Sequence, residues 1–121
     1  MSELLDKRLK FTRDMVTLLA KFNQMPNIAV ALGRDFDEQY ERTKSGKVLR
    51  HMRGSLHYVG LANDLALYHR KGNRWDYIQD TKSYEAMGIF WESLSDSIGT
   101  NCWGGRFEDG NHFSIAYGGR K

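Results

Sequence analysis

Two stretches hold the residues whose types and spacing suit chemistry: Ser55–Tyr68 and Asp109–His112. From Leu61 onward the first alternates with the period of two of a β-strand. Leu61, Leu65 and Leu67 mark one face, interrupted by Asn63, while Ala62, Asp64, Ala66 and Tyr68 mark the other. Aspartate is depleted in strands, and an ionised carboxylate is costly to bury without a partner. Here it stands between two alanines, small enough to let something approach, and His57 lies seven residues upstream beyond a turn through Gly60. One reading is a capped or salt-bridged aspartate beside an ordinary histidine; the other is half of a metal site. The segment His112–Tyr117 repeats the design, with Phe113, Ile115 and Tyr117 on one face and His112, Ser114 and Ala116 on the other. His57, Asp64 and His112 are then candidate ligands, and three protein ligands with a fourth position left to water is the pattern of a catalytic zinc site. Asp109, three residues before His112 in Asp-Gly-Asn-His, is either an ordinary turn residue or a general base for such a water. Glu108 is the second candidate for that role if the local register is shifted.

These residues need elements to position them. A first helix is expected from Ser2 or Glu3 to Phe22, with Leu5, Leu9, Val16 and Leu19 on its apolar stripe, Phe22 close to it, and Lys7, Lys10, Arg13 and Asp14 interleaved. Pro26 stops it. Ile28–Leu32 reads as a short buried strand closed by Gly33, with Arg34 at its end. Asp35 with Glu38 opens a second helix that closes between Thr43 and Gly46, and a basic stretch, Lys47–Arg53, follows. Trp75–Ile78 reads as a hairpin partner for the Leu61–Tyr68 strand across the turn Arg70–Arg74. A third helix starts at Asp80-Thr81, buries Tyr84, Met87, Trp91, Leu94 and Ile98, and stops at Gly99. The sum is an α+β fold: a small antiparallel sheet with about three helices packed around it and the site at the sheet surface.

A chain of 121 residues makes one domain. Its longest apolar run, Ile28–Leu32, is too short to span a membrane, and its charged N-terminus does not read as a signal peptide, so synthesis in the cytoplasm is expected. The single cysteine, Cys102, excludes an internal disulfide framework and a multi-cysteine zinc site, and it reads as a packed side chain. A net charge of +3 suits any anionic partner, whether nucleic acid or an acidic envelope polymer. His51 and His69 read as exposed residues.

The set Ser55, His57, Gly60, Ala62 and Asp64 resembles the first zinc motif of the D-Ala-D-Ala carboxypeptidase family, which includes the L-alanyl-D-glutamate endopeptidases used by bacteriophages as lysins. Trp103-Gly-Gly followed by Asp109, His112 and Phe113 is similar to the second motif. Gly33-Arg34, Gln39 and Arg42-Thr-Lys-Ser-Gly46 resemble the lysin branch, and the order of the motifs is that of the family. The resemblance implies a hedgehog- or DD-peptidase-like fold with Zn2+ on His57, Asp64 and His112. It implies Asp109 as catalytic base and proton donor, Arg34 as stabiliser of the oxyanion, and Ser55, Gln39 and Trp103 near the substrate. The family often has Glu at the position of Asp109, and an aromatic residue between the glycine and the arginine where this chain has Gly33-Arg34 directly. The implied activity is hydrolysis of a peptidoglycan stem-peptide bond, L-Ala–D-Glu before D-Ala–D-Ala. The protein would act as a monomer without a separate wall-binding domain, reach the periplasmic wall after membrane permeabilisation, and touch the anionic envelope electrostatically, with no role for nucleic acid. The reading of another class is a non-catalytic basic domain that binds nucleic acid or an anionic polymer through Lys44, Lys47, Arg50 and Arg53.

Overall fold

In the computed structural model, which describes residues 2–33, 56, 57 and 59–121, the sheet is built around one long strand. This strand, β2 (Ala62–Lys71), pairs antiparallel with β5 (His112–Ile115) through its first residues and with β1 (Ile28–Leu32) and β3 (Arg74–Ile78) through its later ones. Outside β5 lies β4 (Asn101–Trp103), giving the order β1-β2-β5-β4 with β3 paired to β2. One face is covered by two helices, α1 (Glu3–Phe22) and α2 (Glu85–Ser93). Val30, Leu65, Leu67, Phe113 and Ile115 point from the sheet into a core completed by Met15, Leu18, Tyr84, Met87 and Trp91. By the alternation of strands, Asp64, Ala66, Tyr68, His112 and Ser114 belong to the opposite face. The class is therefore α+β with a small open antiparallel sheet.

Two α-helices are seen among the described residues, against about three expected. The expected second helix, Asp35–Gly46, and the basic stretch Lys47–Arg53 with His51 lie outside the described residues. The expected bounds of α1 and β1 hold, but their buried sides differ. Leu5, Leu9 and Val16 are 48%, 49% and 62% exposed; of the expected side Leu19 and Phe22 pack against the core, and α1 otherwise packs through Phe11, Met15 and Leu18. Both stripes have helical spacing; the buried one carries two aromatic rings, which stack edge-on against Trp91 (5.6 Å) and Phe90 (6.0 Å). Lys10, expected on the polar side, is buried, and its ammonium donates to Asp14 Oδ2 and the Leu94 carbonyl, both at 2.7 Å. Only Val30 of β1 is fully buried, because among the described residues β1 pairs with β2 alone and forms a sheet edge.

The third expected helix begins as anticipated, Asp80 Oδ2 accepting from the Ser83 amide at 3.1 Å, but its first turn is a 3-10 turn and α2 stops at Ser93. Beyond it Asp96 Oδ1 accepts from the Ile98 and Gly99 amides, and the Ser95 hydroxyl donates to the Glu92 carbonyl. These short polar side chains offer the backbone an alternative to helix, which leaves Ile98 exposed outside it. The last strand likewise ends at Ile115, before Tyr117, which instead bridges to Arg120 and packs against Leu56, Leu61 and Ala62.

Candidate metal centre

Asp64 and His112 are direct cross-strand partners in the β2–β5 pairing, so the two side chains meet on the face of the sheet opposite the helices. His57 arrives from the turn before β2, which is closed by the Leu61 amide donating to the Leu56 carbonyl at 2.9 Å. Gly60 turns the chain with φ of 76°, a conformation that glycine adopts without strain. The order of elements in sequence thus delivers three potential ligands to one point.

The geometry there is close to a metal's requirement. His57 Nε2 lies 3.2 Å from His112 Nδ1 and 3.6 Å from Asp64 Oδ1, and His112 Nδ1 lies 3.4 Å from the same oxygen. Bonds of about 2.0–2.1 Å around a tetrahedral ion place neighbouring ligand atoms about 3.3–3.4 Å apart. The observed triangle has those edges within 0.2–0.3 Å. A hydrogen bond bridges only one pair of such atoms at a time, whereas a cation satisfies all three. The three side chains are 4%, 6% and 9% exposed, so water competes weakly for the position between them. This group, His57, Asp64 and His112, can hold a metal ion.

The ring of His112 is oriented from behind. Its Nε2 lies 3.3 Å from the main-chain oxygen of Lys121, which can only accept, so a hydrogen bond there uses the tautomer with the proton on Nε2 and leaves the Nδ1 lone pair for a metal. Phe107 packs its ring 5.8 Å from the imidazole. The turn before His112 is held by the His112 amide donating to the Asp109 carbonyl at 3.1 Å and the Asp109 amide donating to the Gly104 carbonyl at 2.9 Å. A Cβ on Gly104 would collide with the Asp109 carbonyl and the Cβ of His112, so this approach needs glycine.

Of the other expected site residues, Asp109 lies in this turn with an exposed side chain, and neighbouring Glu108 is exposed as well, with φ of 62°. Trp103 is buried; its indole donates to the Gly110 carbonyl at 2.7 Å, and its ring fills the space beside Gly88 and Gly105. It therefore braces the turn from the core side. Arg34, Gln39 and Ser55 lie outside the described residues. Cys102 is buried, and burial pushes its thiol up, as suits a packed residue rather than a nucleophile. Sequence reasoning did not single out the main-chain oxygen of Lys121; it placed Trp91 in the core but not its indole's hydrogen bond to the Ser114 carbonyl at 2.9 Å, which ties α2 to β5. For Trp91 a signal existed: a buried indole N–H needs an acceptor. For the Lys121 carbonyl there was none.

No protein-family model matches the chain, and no curated protein matches it. Fold and site together define an α+β chain whose sheet bears, on the face opposite the helices, a His-Asp-His group that could hold a metal. Among the described residues, no helix is long and apolar enough to cross a membrane.

Proposed function

We propose that the chain is a zinc metallopeptidase that hydrolyses the L-Ala–D-Glu bond of the peptidoglycan stem peptide, on a hedgehog- or DD-peptidase-like variant of the α+β fold. The observation that carries this reading is the triangle of two imidazole nitrogens and one carboxylate oxygen with edges of 3.2–3.6 Å. Two nitrogens and one oxygen suit zinc better than the hard cations calcium and magnesium, which prefer all-oxygen shells. Zinc held by three protein ligands supplies a nucleophile at neutral pH and polarises a carbonyl.

The chain's own residues would do the rest. Asp109 takes a proton as general base and returns it to the leaving amine; its place in the tight turn joined to His112 and its exposure support the role. Arg34 stabilises the developing oxyanion, as a permanently charged guanidinium can. Gly33, the residue before it, donates its amide to Asn63 Oδ1 at 2.9 Å and packs against the main-chain carbonyl of Asp64. Ser55 and Gln39 bind the substrate, and Trp103 serves it by bracing the turn of Asp109 through Gly110. The action is that of a lysin: on the wall, after permeabilisation of the membrane.

The test is to incubate purified peptidoglycan with zinc-loaded protein and identify the new amino terminus by mass spectrometry. A new D-Glu amine is expected, and it should disappear with a chelator and in Asp109→Ala, which should keep its zinc. Released D-Ala would assign the terminal bond instead, and an intact wall under zinc-replete conditions would overturn the peptidase reading.

A further inference from the structure

The face of the sheet that carries the metal centre continues past it and becomes exposed at Trp75 and Tyr77. Along β2 the residues sharing the face of Asp64 are Ala66, Tyr68 and Arg70. Register sets Ala31 of β1 beside Ala66, and Tyr77 and Trp75 of β3 beside Tyr68 and Arg70. Next to the ligands the face is thus a floor of alanine, and farther along it rises into a shelf of aromatic rings. The rings of Tyr68 and Tyr77 lie 5.5 Å apart, and the Arg70 guanidinium sits 5.9 Å from the centre of the Trp75 ring. Trp75 and Tyr77 remain 46% and 48% exposed. Cross-strand pairs of this kind stabilise a hairpin, but that role does not require them to share a face with a metal centre or to be joined to it by small residues.

Resting on the zinc-peptidase reading, we propose that this shelf binds the glycan strand from which the stem peptide hangs. Pyranose rings present C–H groups to aromatic faces, and a guanidinium donates to their hydroxyl and acetamido oxygens. The spacing fits as well. Four residues of strand separate Asp64 from Tyr68, about 13 Å at about 3.3 Å per residue. In the stem peptide, the L-Ala–D-Glu bond is separated from its sugar by a lactyl group and one residue, about 7 Å at about 3.5 Å per unit. Half a sugar ring brings the sugar's centre close to the Tyr68–Tyr77 pair, and the Arg70–Trp75 pair two residues on faces the adjoining sugar. The D-Ala–D-Ala bond lies three residues farther from the glycan, about 10 Å more, and would place the sugar at the Arg70–Trp75 pair instead.

Trp91 and Trp103 are buried, so a change in tryptophan emission on ligand binding reports Trp75. Metal-free protein titrated with an oligomer of N-acetylglucosamine should show a saturable change in emission. Followed by calorimetry, Trp75→Ala should weaken binding about tenfold, the scale of one lost aromatic contact, while Trp75→Phe keeps it. With zinc present, the wild-type KM for glycan-attached stem peptide should be about tenfold below that for the sugar-free peptide. No saturation at millimolar saccharide, unchanged affinity in Trp75→Ala, or equal KM values would each overturn the proposal. So would binding of a single-stranded oligothymidylate with steep salt dependence in place of the saccharide. The titration needs neither metal nor cleavage, so a protein that binds saccharide but cuts no wall keeps the shelf and loses the peptidase.

Discussion

Zinc should raise the melting temperature of this protein by a calculable amount. The three ligands come from separate pieces of chain: the turn before β2, β2 itself and β5. Unfolding scatters them, so the ion binds the folded state in preference to the unfolded one. At free zinc 100-fold above the dissociation constant, the folded state gains about 2.7 kcal/mol. For a chain of 121 residues each kcal/mol moves the midpoint by about 4 °C, so the expected shift is about 10 °C. Differential scanning calorimetry with a zinc buffer measures it directly. Asp64→Asn keeps the shape but weakens the oxygen donor, and His112→Ala removes a nitrogen; both should lose most of the shift. Asp109→Ala, whose side chain is exposed and outside the triangle, should keep it. A midpoint indifferent to zinc, or a shift that survives in His112→Ala, would refute the metal reading of the triangle.

Other perturbations test the frame behind the site. Lys10→Ala leaves the Leu94 carbonyl and the Asp14 carboxylate without their buried partner and should cost about 3–5 kcal/mol in urea unfolding, and Lys10→Met should cost less because it refills the volume. Gly88→Ala gains about 1 kcal/mol of helix propensity but drives a methyl into the Trp103 ring, so net destabilisation of about 1–2 kcal/mol by thermal unfolding is expected, and a stabilised variant would contradict the packing. The Tyr84 hydroxyl donates to the Ile78 carbonyl at 2.8 Å and accepts from the Leu67 amide at 2.9 Å, and burial pushes its phenol up to about 12. A folded value above the unfolded one of about 10 means that this contribution is complete below about pH 10 and is lost as pH rises through about 12. Tyr84→Phe should cost about 1–2 kcal/mol at neutral pH and should flatten the fall of the urea midpoint between about pH 10 and 12.

Much of the site was legible from local pattern. Asp64 breaks the rule for a strand, His112 opens a strand of the same design, and the structure makes the two cross-strand partners. The same kind of pattern misassigned part of the buried face of α1: Leu19 and Phe22 do pack, but Leu5, Leu9 and Val16 yield to Phe11, Met15 and Leu18, which also recur at helical spacing. Periodicity says that a helix has an apolar side, and the partner surface chooses which side wins. Trp91 and Phe90 make that choice by offering edges to Phe11 and Phe22. The overlong third helix has a similar cause: Ile98 continues the stripe, but Ser95 and Asp96 capture the backbone locally.

By itself the sequence determined the chemistry on offer: two histidines and a carboxylate on or beside strands, small neighbours around them, and glycines where the chain must turn or approach closely. Residue type and alternation are local properties, and local physics reads them. Only the tertiary structure decided that the three donor atoms stand 3.2–3.6 Å apart, that a main-chain oxygen nine residues downstream lies 3.3 Å from the far nitrogen of His112, and that a tyrosine pair and an arginine–tryptophan pair share the face of the ligands. Those facts depend on strand register and on which face the helices cover, and both are set by packing among residues far apart in the chain.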